Sequence, residues 1–377
     1  MPLALGLMSG TSIDGVDAAV CDISYKGGRI RIKILAAAKS AYGARLRKRI
    51  LSLNDINSPG EQICRLNVEV AEVFARAALK VLKSPALKGK KPEYIGSHGQ
   101  TVFHLPKLGA SLQIGDGSVI AARSGIKTWF DFRSADLALG GQGAPLAPVI
   151  HLPLFMDQKT GVGVVNIGGI ANVTHIPAGA ARLNKLTAYD TGPGCMVMDM
   201  WARKMGAGDF DRNGSIASKG AIDKTLLKRM LSHPYFRARP PKSTGRETFG
   251  ESFLKWAGLA GKAVASRDVM ATLTELTAQT ITDEIGKLNK RGRKTGRIVL
   301  CGGGALNGYL VKRIKAHCRI EVAPSDALGI DCKLVEPALM ALLAFYAEKG
   351  VALDLSKLTG SKKPVLLGKL APVPCGQ

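Results

Sequence analysis

The chain has 377 residues, 46% hydrophobic and 22% charged, which suits a globular protein with more than one core and excludes a disordered chain. Its net charge of +24 comes with only 5% aromatic residues and no recognised nucleic-acid motif, so a solvated basic surface is expected rather than a specific nucleic-acid partner. Seven scattered cysteines without a C-x-x-C pair suit reduced thiols, and no apolar run approaches the roughly 18 residues of a membrane span. The N-terminus lacks the basic segment and apolar run of a secretion signal, so a cytoplasmic protein without membrane association is expected.

In chain order, Leu3–Met8 reads as a buried strand, followed by strands over Val16–Ile23 and Arg29–Ala37. Apolar residues at helical spacing, Ile63, Leu66, Val70, Val73 and Ala77, predict a helix within Ser58–Lys83. Tyr94–Gly96 is a short strand entering a loop over Ser97–Thr101. A helix over Ser118–Ser124 and a strand over Thr128–Phe132 follow. The pattern then restarts with strands at Val162–Ile167, Ala171–Ile176 and Leu186–Asp190. A helix over Met196–Met205, helices within Asp223–Gly286, a strand at Ile298–Cys301, a helix over Ala305–Ala316 and a closing helix over Leu334–Lys349 complete the chain. Two successive units open with three strands and a glycine turn. This predicts an α/β fold of two lobes, each a mixed β-sheet flanked by helices.

The first candidate site is the strand–turn–strand from Gly6 to Asp17. Its residues Gly10, Thr11, Ser12, Ile13, Asp14, Gly15, Val16 and Asp17 offer close backbone approach and hydroxyl donors to phosphate oxygens. Asp14 and Asp17 are candidate Mg²⁺ ligands. It is not a Walker motif. A second glycine turn carries Asn166, Gly168, Gly169 and Asn172 between two strands. In the third motif a strand runs into Gly302, Gly303, Gly304 and Asn307 ahead of a helix, a natural anion or nucleotide site. That motif imperfectly matches G-x-G-x-x-G, with Asp326 beyond it. A dinucleotide-binding domain is therefore the rival reading, weakened by the missing Rossmann unit. Asp190 is expected at a strand end before Gly192-Pro193-Gly194, where it is either a base facing a site or the cap of the next helix.

Three further segments read as binding loops or as turns: 97–101 with His98, Gln100 and Thr101, 131–145 with Arg133, and 240–247 with Lys242 and Arg246. His104, His151 and His175 have no metal-ligand spacing and are expected to be structural.

Read together, GLMSGTSIDGVD, SHGQTVFHLP, DFRSADLALGGQGAPLAP, NIGGIANVT, DTGPG, PPKSTGRETF and CGGGALN occur in that order between Leu5 and Tyr346. This collinear set resembles the anhydro-N-acetylmuramic acid kinases of the sugar kinase, heat-shock chaperone and actin superfamily. The resemblance implies two actin-like (RNase H-like) lobes with an interlobe active-site cleft. Residues 1–150, completed by 333–377, would form lobe I, and residues 151–332 lobe II. It further implies ATP and Mg²⁺ as cofactors. The substrates would be ATP, water and 1,6-anhydro-N-acetylmuramic acid, the products N-acetylmuramic acid 6-phosphate and ADP, and the role recycling of cell-wall peptidoglycan. A homodimer is left open.

Carried onto this chain, Gly10–Asp17 would bind ATP phosphates, with Asp14 toward the metal. Asn166, Gly168 and Gly169 would form the second phosphate hairpin, and Gly302, Gly303, Gly304 and Asn307 the adenosine site. Asp190 would be the base, while Gln100, Thr101, Arg133 and Glu336 would contact sugar or water. The Arg133 fork suits the lactyl carboxylate of the muramic acid, with Lys242 or Arg246 as alternatives. Two segments depart from the family pattern: Cys195 stands where Asn is usual after Gly-Pro-Gly, and Gly329–Lys333 is atypical. A nucleotide-gated binding protein on the same fold is the non-enzymatic alternative.

Overall fold

The structure is a computed structural model and describes residues 2–10, 12–26, 29–53, 60–240, 242–259 and 266–374. The chain divides into two compact units. One comprises Met1–Leu154, Ala181–Asn184 and Lys333–Gln377; the other comprises Phe155–Ala180 and Lys185–Cys332.

The first unit contains strands β1 (Leu3–Met8), β2 (Gly15–Lys26), β3 (Arg29–Ala41), β4 (Tyr94–Ser97), β5 (Gln100–Leu105), β6 (Ala110–Ile114) and β7 (Thr128–Phe130). The second contains β8 (Val162–Ile167), β9 (Ile170–Ile176), β10 (Thr187–Pro193), β11 (Arg297–Cys301) and β12 (Glu321–Pro324). A last strand, β13 (Lys369–Ala371), returns to the first unit.

The first sheet runs β13-β7-β4-β1-β2-β3 and the second β10-β9-β8-β11-β12. In each, the opening three strands form an antiparallel meander. The two later strands then add in parallel on the far side of the first. This shared 3-2-1-4-5 order is the RNase H-like arrangement of the actin-like fold. The antiparallel β8, β9 and β10 also remove the dinucleotide-binding alternative, which needs a doubly wound parallel sheet.

Local chemistry explains the layers. The helix Gly60–Leu82 buries Leu66, Val70, Val73, Phe74, Ala77 and Val81 in the core shared with Leu5 and Leu7 of β1. These are the helically spaced positions, so one stripe of the helix is apolar and covers one sheet face. The helix Val335–Glu348 is apolar nearly all round and packs on β1, β2 and β4. Gly6 and Gly96 permit this approach: a Cβ at either would overlap the main-chain oxygen of Pro337 or Met340. Glu348 ties the far end of this helix to β7, accepting from Lys127 Nζ at 2.6 Å and Trp129 Nε1 at 3.0 Å.

Several elements differ from the sequence expectation. Residues 100–114 form a β-hairpin of their own, β5–β6, so that the loop expected over Ser97–Thr101 gives way to a strand at Gln100, and the segment beyond it, left unassigned by the sequence, is paired. Its half-exposed strands lack the buried apolar run that marks β1 and β8. The strand expected to end at Phe132 stops at Phe130, because Asp131 takes a left-handed φ of 51° and turns the chain. The helix after the third glycine motif begins at Gly308, with a 3₁₀ turn over Gly303–Leu306 ahead of it. The part of the Ser58–Lys83 helix at residues 58–59 lies outside the described residues. Among the described residues, no helix is long and apolar enough to cross a membrane.

Candidate functional site

In the first unit the glycine turn after β1 is pinned by side chains. Ser9 Oγ lies 2.9 Å from the Gly15 carbonyl oxygen and 2.7 Å from Gln100 Oε1. Gln100 is thereby joined to the turn from 91 residues away. Ile13 is buried with φ of 51°, a left-handed conformation that a β-branched residue rarely adopts. Such strain concentrates at functional turns. Thr11 lies outside the described residues.

Asp14 accepts from Ser12 Oγ at 3.0 Å and from Lys39 Nζ at 2.6 Å. Lys39 also stands 3.8 Å from Asp17, its cross-strand neighbour on β2. Burial works to raise the Asp14 carboxyl, but the Lys39 ammonium and the Ser12 hydroxyl outweigh it and hold it below the ordinary carboxylate range. Asp14 is therefore a carboxylate at neutral pH. Asp14, Asp17 and Ser12 form a hard-oxygen donor set of the kind that suits Mg²⁺.

Arg133 lies elsewhere in the same unit. Its guanidinium donates to the Gly143 carbonyl at 2.6 Å and meets His98 Nε2 at 2.9 Å. An arginine cannot accept, so His98 Nε2 carries the lone pair. Nδ1 then holds the proton and donates to the Gly99 carbonyl at 2.9 Å. Burial, and next the Arg133 charge, push the His98 ring down to about 3, so this imidazole is neutral. Burial brings Arg133 down to about 10, against Glu336, Asp131 and Asp136, which favour its charge. Arg133 remains a cation whose two hydrogen-bonded partners are neutral acceptors. Glu336 lies in the first turn of the helix Val335–Glu348 and faces Arg133 electrostatically. Thr101 accepts from Gln113 Nε2 at 3.2 Å across the β5–β6 hairpin. Asp136 is structural: it is fully buried and bonds Thr359 Oγ1 at 2.6 Å and the Gly143 N–H at 2.7 Å.

In the second unit, strand register gathers the candidates. Asn166 of β8 pairs with Asn172 of β9, and Asn172 pairs with Asp190 of β10. Directly opposed residues share a face, so the three polar side chains form one row beside the Gly168–Gly169 turn. The carbonyls of that turn accept the N–H groups of Gly194, Cys195 and Met196 at 2.8 to 3.1 Å. Gly302, at φ of 80°, sits where a Cβ would overlap Asn166 Oδ1, so the third glycine motif closes on the second. Gly304 packs in the same way on Ile167 and Cys195. Asn307 is the N-cap of the helix Gly308–His317, accepting from the Leu310 N–H at 3.0 Å. Cys195 lies at the junction of both glycine segments; its thiol is pushed up to about 12 by burial, with Asp199 adding to the rise.

Asp190 is not at a strand end, as expected from the sequence, because β10 continues to Pro193 through a bulge between Asp190 and Gly192. Nor does it cap the next helix. Its Oδ2 accepts the Thr244 N–H at 2.9 Å, its own N–H donates to the Lys242 carbonyl at 3.1 Å, and its carbonyl accepts from Tyr235 Oη at 2.8 Å. Burial raises its carboxyl to about 6; the Thr244 N–H and Lys242 oppose the rise and Glu247 adds to it. A carboxylate of that basicity is poised to take a proton near neutral pH. Lys242, offered above as an alternative anion reader, is only 4% exposed and points into an ion pair with Glu284 at 3.0 Å. The sequence singled out the segments that hold the partners of Asp190 and Arg133 but not the pairings themselves, which span 10 to 54 residues.

Asp199, on the helix Met196–Lys204, is raised to about 7 by burial, with Arg203 opposing and Asp209 adding to the shift. The folded chain thus keeps a proton that the unfolded carboxyl releases near its ordinary value of 3.8. The associated stability is full below that value and is lost as pH rises toward 7. Asp199→Asn should therefore raise Tm relative to the natural chain by more at pH 8 than at pH 5. Equal shifts at the two pH values would refute the assignment.

The family model for anhydro-N-acetylmuramic acid kinase matches residues 2–373. Curated relatives bearing that name include one from Caldanaerobacter subterraneus subsp. tengcongensis, 37% identical, covering 98% of this chain and 96% of the relative. Others are from Shewanella amazonensis, 38% identical, and Gloeobacter violaceus, 39% identical, each covering 98% of both chains. The chain therefore belongs to the anhydro-N-acetylmuramic acid kinase family and is an ATP-using kinase.

Proposed function

We propose that this kinase opens the 1,6-anhydro bridge of 1,6-anhydro-N-acetylmuramic acid with water and transfers the γ-phosphoryl group of ATP to O6. The products are N-acetylmuramic acid 6-phosphate and ADP. The observation that carries the reading is Asp190: a carboxyl near 6, fixed by the Thr244 N–H, in one row with Asn172 and Asn166 of a glycine turn.

An inverting glycosidase needs two carboxylates, one to activate water and one to protonate the leaving oxygen. Here phosphorus captures the departing O6, so one base suffices. A water O–C1 bond forms as the C1–O6 bond breaks. An O6–P bond forms as the bond from phosphorus to ADP breaks, and the water proton goes to Asp190. Glu336 is assigned to sugar or water together with Gln100 and Thr101. The Gly10–Asp17 turn and the Asn166–Gly169 turn would bind the phosphate chain through backbone N–H groups. Gly302, Gly303, Gly304 and Asn307 are assigned to adenosine.

Mg²⁺ would be held by Asp14, with Asp17 as a further candidate ligand. When bound, the ion neutralises charge on the phosphate oxygens. Lys39 lies 2.6 Å from Asp14 and 3.8 Å from Asp17, so it would share these carboxylates with the ion.

A coupled ADP-release assay with and without the anhydro-sugar tests the reading. ADP release that depends on the sugar, with a 6-phosphorylated reducing sugar as product, is expected. Nucleotide turnover that ignores the sugar would reject it.

A further inference from the structure

Glu284 lies on the helix Ser266–Lys290, outside every motif considered above, and its side chain is only 3% exposed. It accepts two ammonium groups, Lys242 at 3.0 Å and Lys287 at 2.8 Å. Each leads toward Asp190. The Lys242 carbonyl accepts the Asp190 N–H, and two residues on the Thr244 N–H holds the Asp190 carboxylate. Lys287 also donates to the Phe236 carbonyl at 3.1 Å, next to Tyr235, whose hydroxyl donates to the Asp190 carbonyl. The Lys242 ammonium lies 4.8 Å from the centroid of the Tyr235 ring, which links the two struts.

A buried ion pair is a poor device for stability alone, because packed apolar residues of similar volume serve as well or better. Its position supplies another use. Lys242 is the cation nearest in effect to Asp190, and an unneutralised ammonium there would suppress the carboxylate's basicity. Glu284 neutralises that ammonium and draws it onto the helix. The other charged or titratable groups around Asp190 are Glu247 on the helix Arg246–Phe249 and Tyr235. Asp283 and Lys287 flank Glu284 on its own helix, and Tyr189 lies beside Lys242.

We propose that Glu284 is a positioning residue for the reaction: by holding Lys242 and Lys287 it fixes the 242–244 segment on Asp190 and keeps the Lys242 charge away from the carboxylate. This rests on the reading of Asp190 as the base.

The test measures kcat, KM and the pH dependence of kcat/KM for Glu284→Gln, Glu284→Asp and Lys242→Met. Glu284→Gln should lower kcat by about tenfold or more with KM little changed. Its acid limb should move to lower pH by about 1 unit, as the released ammonium favours the ionised carboxyl. Lys242→Met should move the limb to higher pH, since the opposing cation is gone. Glu284→Asp should recover part of kcat. The double variant should return the limb toward its natural position, since both charges of the pair are then gone.

Limbs that stay in place while only Tm falls would overturn the proposal, as would limbs that move the same way in both single variants. If Glu284→Gln does not fold, Lys242→Met decides alone, and an unmoved limb rejects the proposal. Asp190→Asn is run alongside. If it keeps the acid limb, the base assignment fails separately. An NMR titration of the ¹³C-labelled Asp190 carboxyl then shows directly whether the two variants shift it in opposite directions, as required here.

Discussion

Asp190→Asn should lower kcat by about 10²–10⁴-fold, the usual loss when a general base is removed. The change keeps shape and volume, and the Asn side-chain oxygen still accepts the Thr244 N–H. Binding of ATP and of the anhydro-sugar should therefore persist, measured by titration calorimetry. Ring opening and phosphoryl transfer should be lost together, because water attack at C1 and capture of O6 by phosphorus share one transition state. The pH dependence has a definite sign. Burial raises the Asp190 carboxyl to about 6, and only its ionised form takes the proton. The natural enzyme should thus lose kcat/KM as pH falls through 6, and this limb should be absent from the residual activity of the variant. In ¹⁸O-water the label should appear at C1 of the sugar and not in the phosphate. Near-normal turnover by Asp190→Asn, or label in the phosphate during sugar-dependent turnover, would contradict the mechanism.

Arg133→Ala should raise KM for the anhydromuramate by about 10–100-fold, which corresponds to losing a hydrogen-bonded charge pair of about 1.5–3 kcal/mol. KM for ATP should stay near its natural value. The guanidinium is oriented by two neutral acceptors, the His98 ring and the Gly143 carbonyl, while Glu336, Asp131 and Asp136 favour its charge. The lactyl carboxylate is the group that distinguishes muramic acid from glucosamine, and a planar fork fits it. The variant should accordingly lose selectivity against the lactyl-free anhydro-sugar. Arg133→Lys should recover less than the retained charge suggests, since an ammonium cannot span the same pair of contacts. Unchanged selectivity in Arg133→Ala would remove Arg133 as the reader and leave Arg246 as the candidate.

Short-range physics made much of this protein legible from its residues. Apolar runs such as Leu3–Met8 and Val162–Ile167 read as strands because burial on both faces demands them. The helix Gly60–Leu82 was legible because its apolar stripe repeats at the helical period. The glycine turns were legible because clustered glycines interrupt the apolar strand runs, and their collinear order carried the family and the kinase chemistry. The β5–β6 hairpin was not legible, since its half-polar strands carry no buried run.

What only the tertiary structure decided is which side chains meet. Lys39 reaches Asp14 across 25 residues, His98 and Arg133 meet across 35, Thr244 holds Asp190 across 54, and Glu284 engages Lys242 across 42. A side chain's charge state depends on its burial and on the charges beside it, and neither is a property of spacing along the chain. The sequence thus determined that an aspartate stands at position 190 beside a glycine turn. The packing around it, with the 242–244 segment held by the helix Ser266–Lys290, decided that its carboxyl is raised to about 6, because burial raises it while the Thr244 N–H and Lys242 hold the rise in check.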